Sequence, residues 1–75
     1  MSWDVVLVDP GPSPIALIRT LRELLGRDLR ELEALVGSTP ETLQHGVERA
    51  DAETVRQRLA KVGARVEVRR ASVPA

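Results

Sequence analysis

The stretch WDVVLVDPGPSPIALIRTLRELLG, residues 3–26, decides the order of the first two elements of the fold. Its first six residues are mainly apolar, which predicts a strand that is buried on at least one side. The prolines at positions 10, 12 and 14 exclude a helix before Ser13. Ser13 is placed to cap a helix that begins at Pro14, and Gly26 ends that helix.

A second helix and a second strand are predicted further along the chain. Asp28 precedes a leucine-rich segment and Glu31 follows three residues later, a capping-box pattern with aspartate as the cap. We therefore expect a helix from Asp28 to Gly37. Residues 42–47 favour a strand only weakly, and propensity alone also allows a helical turn at residues 41–43.

The last third of the chain predicts a helix followed by a strand. Apolar residues spaced by three and four indicate a helix over about residues 49–62, which Gly63 ends. Residues 65–69 alternate valine with charged residues, as in a strand with one buried and one hydrated face. Residues 71–75 are expected to form a flexible tail, so a single domain is placed at residues 1–70.

Two helices lie between the first two strands, and one helix lies between the last two. With so few strands, the economical arrangement is a three-stranded sheet with three helices on one face. This is an α/β (α+β) two-layer sandwich in the order β-α-α-β-α-β. The apolar stripe of the first helix should face the sheet; its members are Leu17, Ile18, Leu21, Leu24 and Leu25.

The composition excludes several classes of function. The chain has no cysteine and so forms no disulfide, which fits a reducing, cytoplasmic compartment. Eleven Lys and Arg residues balance eleven Asp and Glu residues, so no overall basic field attracts nucleic acid. Trp3 is the only aromatic residue, which argues against stacking on bases. No apolar run reaches membrane-spanning length, so no membrane association is expected.

The residue types needed for catalysis are nearly absent. His45 is the one histidine, and Ser13 and Ser38 already have roles as a helix cap and a turn residue, so no Ser-His-Asp triad is expected. One histidine with scattered carboxylates makes no zinc site. The connector at residues 10–14 lacks the lysine and the N–H donors that cradle a phosphate. We therefore expect no enzyme activity, no metal and no cofactor.

One group of residues points to binding. Ile15, Arg19 and Arg22 fall on one side of the first helix, away from its apolar stripe. They would form a docking patch in which an apolar side chain lies between guanidinium groups suited to acidic surfaces. Composition alone favours the alternative, an ordinary hydrated helix face with one exposed apolar residue.

Five segments of the chain, with their spacing, resemble one known family. They are WDVVLV (3–8), IALIRTLR (15–22), LRELEALV (29–36), PETLQHGV (40–47) and DAETVRQRLAKVGARVEV (51–68). They are similar to the C-terminal domain of the bacterial ribosomal stalk protein, the mobile arm that recruits translational GTPases. The resemblance covers residues 3–69 without a gap. It implies an antiparallel sheet, a true second strand, and a factor-binding surface on the first two helices.

The resemblance favours the docking patch over an ordinary hydrated helix face. It also implies a protein partner such as a translational GTPase. Leu17 also matches an apolar position of the family's surface, although it lies on the stripe that faces the sheet. The predicted protein-binding residues lie on the first two helices: Ile15, Ala16, Ile18, Arg19, Arg22, Arg30 and Glu33.

Several positions depart from the family's pattern. Pro14 and Glu33 stand where the family usually has lysines, Asp28 replaces a glycine, and Leu32 replaces a small alanine. Glu33 should repel an acidic partner, because like charges across an interface cost affinity and slow encounter. An alternative hypothesis is therefore an adaptor or regulator outside the ribosome, which has changed its partner and pairs with itself through Leu32 and its neighbours on the second helix.

The family's N-terminal dimerisation domain and flexible hinge have no counterpart in these 75 residues. We therefore expect a stand-alone copy, either a monomer or a weak homodimer, that does not attach to the ribosome in the family's way. A gene neighbourhood of translation genes would favour factor recruitment, and a stress or biosynthetic cluster would favour the adaptor.

Overall fold

Six elements follow one another in the order that the sequence predicts. A computed structural model describes residues 2–71. The elements are β1 (Trp3–Asp9), α1 (Pro14–Leu25), α2 (Leu29–Val36), β2 (Glu41–Val47), α3 (Arg49–Ala60) and β3 (Arg65–Arg70). Within residues 2–71, none of the helices combines the length and the apolar character that crossing a membrane requires.

The three strands form one antiparallel sheet with the order β2-β1-β3. The central strand β1 pairs with both neighbours, and Val5 lies opposite Gln44 of β2 and Val68 of β3. The pairing of β1 with β2 is irregular on both sides of Val5. Glu41–Val47 is a strand and not a helical turn, so the resemblance is right where propensity left two alternatives open.

The core lies between the sheet and the three helices, which pack on one face of it. Val5 and Leu7 of β1 belong to this core, whereas Val6 pairs with Thr42 and Glu67 on the opposite face. Each helix and β2 contribute at least one leucine with no exposed surface: Leu17, Leu21, Leu32, Leu43 and Leu59. The predicted two-layer sandwich is therefore confirmed, with α1 in contact with both other helices.

The first two helices do not begin with the side-chain caps that the sequence predicts. The Ser13 and Asp28 side chains make no capping hydrogen bond. Instead, their backbone carbonyls accept the first hydrogen bonds of the helices, from the N–H of Leu17 at 3.0 Å and the N–H of Leu32 at 3.1 Å. Both cap residues are exposed, so water can satisfy the free N–H groups of the first turns. In α1, Pro14 also presets the backbone for the helix.

The first two helices end directly before the predicted glycines, whereas the third ends three residues before Gly63. Gly26 ends α1 with a left-handed φ of 64°, and its N–H donates to the Arg22 carbonyl at 2.9 Å. The end of α3 is Ala60, earlier than predicted. The chain tightens there, because Val62 and Gly63 donate to carbonyls three residues back.

Two glycines hold the β1–α1 connector against the α3–β3 turn. Gly11 has a φ of 80° and Gly63 a φ of 83°, a region that favours glycine. A Cβ atom on Gly11 would overlap the carbonyl oxygen of Gly63, and one on Gly63 would lie 2.9 Å from Cδ of Pro12. The backbones of the two loops are therefore in direct contact. We call this the glycine contact; it lies directly before the start of α1.

Arg27 ties the link between α1 and α2 to the edge strand β2. Its Nη2 atom donates to the carbonyl oxygen of Leu43 at 3.0 Å. Leu43 is fully buried and lies between Thr42 and Gln44, where the pairing with β1 is irregular. The guanidinium group therefore supplies a donor to a buried backbone at a point where the strand ladder is disturbed.

Replacing Arg27 with alanine should lower the free energy of unfolding by about 1 kcal/mol. The loss is smaller than for a fully buried hydrogen bond from a charged group, because this bond is only partly buried. Urea unfolding followed by circular dichroism measures the change. Arg30→Ala is the matched control, because Arg30 is exposed and makes no hydrogen bond with its side chain among the described residues. Equal losses in the two variants would show that the bond to Leu43 contributes nothing specific.

The predicted flexible tail falls mostly outside the described residues, which end at Ala71. The N–H of Ala71 donates to the Ser2 carbonyl at 2.9 Å, so this residue is held beside the start of β1 and is not part of a loose tail. Residues 72–75 lie outside the described range. The domain boundary at residue 70 stays a prediction.

Candidate protein-binding surface

The outer side of α1 carries one apolar side chain in line with two arginines. Ile15 is 75% exposed. Arg19 and Arg22 follow it by four and seven residues, which places all three on one side of the helix, and both arginines are exposed. Leu17 and Leu21 are fully buried and anchor the opposite side in the core. The row is therefore presented outward because the leucines fix the rotation of the helix.

Two smaller contributions to this surface come from Ala16 and Ile18, which are half-buried. Ile18 also packs against the core, so only part of its side chain is available to a partner. Leu17, which matches an apolar position of the family's surface, has no exposed surface and belongs to the core. Ala16 and Ile18 are therefore less exposed than Ile15 and offer a partner less surface.

The second helix adds three exposed residues, Leu29, Arg30 and Glu33, of which the sequence predicted the two charged ones. Arg30 and Glu33 are exposed, as a binding surface requires. Leu29 belongs to the leucine-rich segment from which this helix is predicted, yet its side chain is 43% exposed. It is the first residue of the helix, and helical side chains lean toward the preceding turn, which here is the link to α1. Its place at the start of the helix is the signal that could have identified it.

Leu32 does not take part in any surface. Its side chain has no exposed area and lies in the core with Leu35. Leu32 itself therefore cannot contact a second copy of the chain, and this part of the hypothesis is wrong. Any pairing through α2 has to use the exposed residues of that helix.

The helices that carry these exposed residues pack together, and only residues 26–28 join them. The structure thus brings all the predicted binding residues onto two adjacent helices. We call this surface the docking face and define it by eight residues: Ile15, Ala16, Ile18, Arg19, Arg22, Leu29, Arg30 and Glu33.

The charged side chains of the docking face are free to meet a partner. Within residues 2–71, none of its three arginines forms an ion pair or a side-chain hydrogen bond, and Glu33 forms none either. Free guanidinium groups keep all their donors for the carboxylates of another protein. Ion pairs closer than 3.5 Å do occur at other positions of the described chain: Glu23–Arg58, Glu53–Arg56 and Glu67–Arg69.

The resolved pKa shifts lie on α3, away from the docking face. A hydrogen bond from Arg56 is the main cause that lowers the pKa of Glu53, and the same bond raises the pKa of Arg56. Because the folded pKa of Glu53 is lowered, its small contribution to stability is present above its usual pKa. That contribution is lost as the pH falls through the lowered value.

His45 is exposed on β2, and its side chain makes no hydrogen bond within residues 2–71. Its Nδ1 atom lies 3.9 Å from Oδ1 of Asp4, and the same carboxylate oxygen accepts the Gly46 N–H at 3.0 Å. In the described range, no three His, Asp or Glu side chains are placed to hold a metal ion, and there is no pocket.

One cluster was missed from the sequence. Trp3 is half-buried with two guanidinium groups over its ring. Arg49 at the start of α3 lies 5.2 Å from the ring centroid, and Arg70 at the end of β3 lies 5.9 Å from it, both within cation–π range. No signal marks this contact in the sequence, because the three residues are far apart along the chain.

Comparison with known protein families accounts for the fold. The family model described as ribosomal protein L7/L12 C-terminal domain matches residues 3–69. The chain belongs to this family. The resemblance carried by the five sequence segments is therefore confirmed over the residues for which it was predicted.

Individual relatives agree with this assignment. Large ribosomal subunit protein bL12 of Clostridium botulinum (strain Langeland / NCTC 10281 / Type F) is 40% identical over 67 residues, which cover 89% of this chain and 55% of the relative. The bL12 protein of Geobacillus thermodenitrificans (strain NG80-2) is also 40% identical over 67 residues, with 89% and 54% covered. The chain spans about half the length of these curated relatives. The family is one of ribosomal stalk proteins, which take part in translation and are not enzymes.

Proposed function

We propose that this chain is a non-catalytic protein-binding module that recruits translational GTPases through the docking face. The observation that carries the proposal is the row on α1, where Ile15 is 75% exposed in line with two arginines that form no ion pair within residues 2–71. Covering an isoleucine of this kind contributes roughly 1.5–3 kcal/mol to binding. The partner is therefore a protein with an acidic surface and an apolar depression that accepts Ile15.

The two kinds of residue have different tasks in this proposal. Arg19 and Arg22 attract the acidic partner and speed the encounter, and salt should weaken this effect because both side chains are exposed. Ile15 is then buried and slows dissociation. The module acts in the cytoplasm on a protein surface, and it uses neither nucleic acid nor a membrane.

A titration of isotopically labelled protein with elongation factors Tu and G tests the proposal. Backbone amide shifts confined to Ile15–Arg22 and Leu29–Val36 are the expected result. Unchanged spectra at high factor concentration would overturn recruitment of these factors. Shifts centred on β3 or α3 would overturn the assignment of the docking face.

Replacing Glu33 with lysine should strengthen binding to the elongation factors. Glu33 is exposed on the docking face without an ion pair in the described chain, so it repels an acidic partner and a lysine would attract it. We expect affinity to rise by up to about fivefold, because a single exposed charge pair contributes at most about 1 kcal/mol. Isothermal titration calorimetry at low and high salt measures the gain and its electrostatic origin.

Glu48→Lys is the matched control for this substitution. Glu48 is exposed directly before α3, outside the docking face, and its replacement changes the net charge by the same amount. A comparable gain in this control would attribute the effect to overall charge. Weaker or equal binding by the Glu33 variant would show that this residue lies outside the contact surface.

Glu33 also favours a second candidate function, an adaptor outside the ribosome with a different partner. An acidic side chain among the arginines of the docking face suits a partner that carries both charges. The factor titration separates the two functions, because an adaptor of this kind leaves the spectra unchanged with both elongation factors. Binding of either factor to the docking face would remove the reason for proposing an adaptor.

A further inference from the structure

We propose that the outer edge of β3 binds an extended acidic segment of another protein, which adds a further strand to the sheet. The segment pairs with the backbone of β3 and carries acidic side chains that face the arginines of this strand. The site is separate from the docking face, so it does not depend on whether elongation factors bind there.

The pairing of β3 with β1 shows which backbone groups of β3 point away from the sheet. The N–H of Ala71 donates to the Ser2 carbonyl, so these two residues form a hydrogen-bonded pair. Such pairs alternate with non-hydrogen-bonded pairs along an antiparallel ladder, and the register has no shift along residues 3–7 of β1. Val66 and Val68 are therefore in non-hydrogen-bonded pairs, and their N–H and C=O groups are directed outward.

These outward groups have no partner within residues 2–71. None of the hydrogen bonds outside the strand ladders reaches Val66 or Val68. The strand also contains neither glycine nor proline, so its sequence does not interrupt pairing with another strand. A row of unused backbone groups at a sheet edge is a template for strand addition, one of the ways in which proteins recognise extended peptides.

The opposite edge of the sheet, β2, is a poorer template. Its pairing with β1 is irregular on both sides of Val5, and Gly46 has a left-handed φ of 64°. Arg27 already donates to the carbonyl oxygen of Leu43. Bulges of this kind twist an edge strand and disturb its ladder, which hinders further pairing. Strand addition is therefore expected at β3 and not at β2.

The charges of β3 select the partner. The strand carries three arginines and one glutamate, in a chain whose formal net charge is +0. Arg65, Glu67 and Arg69 lie on the face of the sheet away from the helices, because the valines between them pack against the core. Both of these arginines are exposed, and Arg65 forms no ion pair within residues 2–71. The edge is therefore basic, and an acidic strand is complementary to it.

A second copy of β3 is a less suitable occupant of this edge. It would bring the same three arginines to a strand that already carries three. Like charges that meet across an interface cost affinity. The proposal therefore commits to a segment of a different protein, whose charge is opposite to that of β3.

The alternation of β3 determines the side-chain pattern of the partner. On one face of the added strand, two acidic residues four positions apart lie opposite Arg65 and Arg69. The residue midway between them lies opposite Glu67 and is not acidic. On the other face, the partner's side chains lie beside Val66 and Val68, which are half-buried, so β-branched apolar residues fit there. We expect antiparallel pairing, as for the other strands of this sheet.

A capped peptide of sequence TEVTVET has this pattern and tests the proposal. Isotopically labelled protein is titrated with it, and hydrogen exchange is measured at saturation. The amides of Val66 and Val68 should exchange rapidly in the unbound protein and become at least about tenfold more protected with the peptide. The amide of Glu67 bonds to β1 and should change little. N-methylation of both peptide valines keeps every charge but removes the donors that face β3, so it should abolish this protection.

The variant R65E/R69E should bind the peptide at least about tenfold more weakly than the unchanged protein. R19E/R22E is the matched control, because it changes the net charge equally but lies on the docking face, and it should bind the peptide normally. The reversed peptide TKVTVKT should bind R65E/R69E better than it binds the unchanged protein. This rescue shows at the same time that the variant is folded. Equal losses in both variants would attribute binding to overall charge and overturn the proposal.

Several other results would also overturn the proposal. They are unchanged spectra at millimolar peptide, equal binding of the N-methylated peptide, and shifts confined to α1 and α2. Protection of Val66 and Val68 that rises with protein concentration without peptide would assign the edge to a second copy. Protection at every concentration would show that the chain itself covers the edge. No elongation factor is present in these measurements, so failure here is distinguishable from failure of the proposed function.

Discussion

Gly11→Ala is expected to remove most of the protein's stability. The φ of Gly11 is 80°, and left-handed backbone costs any other L-residue roughly 1–2 kcal/mol. The added Cβ would also overlap the carbonyl oxygen of Gly63, and forcing an atom into a close contact costs roughly 1–3 kcal/mol more. A domain of this size has only roughly 3–5 kcal/mol to lose. Thermal and urea unfolding followed by circular dichroism measure the loss.

Gly26→Ala separates the two causes. Gly26 also has a left-handed φ, 64°, but a Cβ there would meet no atom within 4 Å. This control should therefore show only the backbone cost, about 1–2 kcal/mol. The difference between the two variants is the contribution of the glycine contact. Equal losses would show that the connector moves away from the α3–β3 turn without cost.

The R19E/R22E variant is expected to bind the elongation factors about a hundredfold more weakly, a loss of roughly 2.7 kcal/mol. Each reversal removes an attraction to an acidic partner and adds a repulsion of similar size. The fold should survive, because both side chains are exposed and have no partner within residues 2–71. Calorimetry measures the affinity, and circular dichroism verifies the helix content.

The salt dependence of the same titration identifies the cause. Binding of the unchanged protein should weaken as salt rises, whereas the residual binding of the double variant should not. The control variant K61E/R65E carries the same net charge as R19E/R22E, and both of its residues are exposed and lie outside the docking face. It should bind like the unchanged protein in physiological salt. Unchanged affinity in R19E/R22E would remove these arginines from the binding surface.

The elements and most of the core could be predicted from the sequence because both depend on local patterns. Leu17 and Leu21 lie on a stripe with the helical period, and both are fully buried. Gly26 and Gly63 interrupt helical patterns, and α1 and α3 end close to them. The weak strand at Glu41–Val47 was the exception, and only the family resemblance decided it.

The contacts between distant segments could not be predicted, because they depend on how the elements pack. The bond from Arg27 to Leu43 needs a disturbed strand ladder beside the helix link, and the glycine contact needs two loops to meet. The capping hydrogen bonds predicted for the side chains of Ser13 and Asp28 are not formed, for a different reason. Their sequence patterns are favourable, but both residues are exposed, so water can satisfy the same N–H groups.

The candidate site was predictable in its location but not in its details. The outward direction of Ile15, Arg19 and Arg22 follows from helical periodicity and is found in the structure. The exposure of Leu29 depends on its position at the start of α2, which a stripe analysis does not consider. The binding roles of all these residues stay predictions until the titrations are made.

Trp3 gives the molecule a built-in optical probe. It is the only aromatic residue of the chain, so intrinsic fluorescence excited at the indole band comes from this ring alone. The ring stands in β1 and is covered by guanidinium groups from the start of α3 and the end of β3. Its emission therefore reports whether the beginning, the middle and the end of the chain are assembled. Folding can be followed at low concentration without a label, while the docking face stays free of any dye.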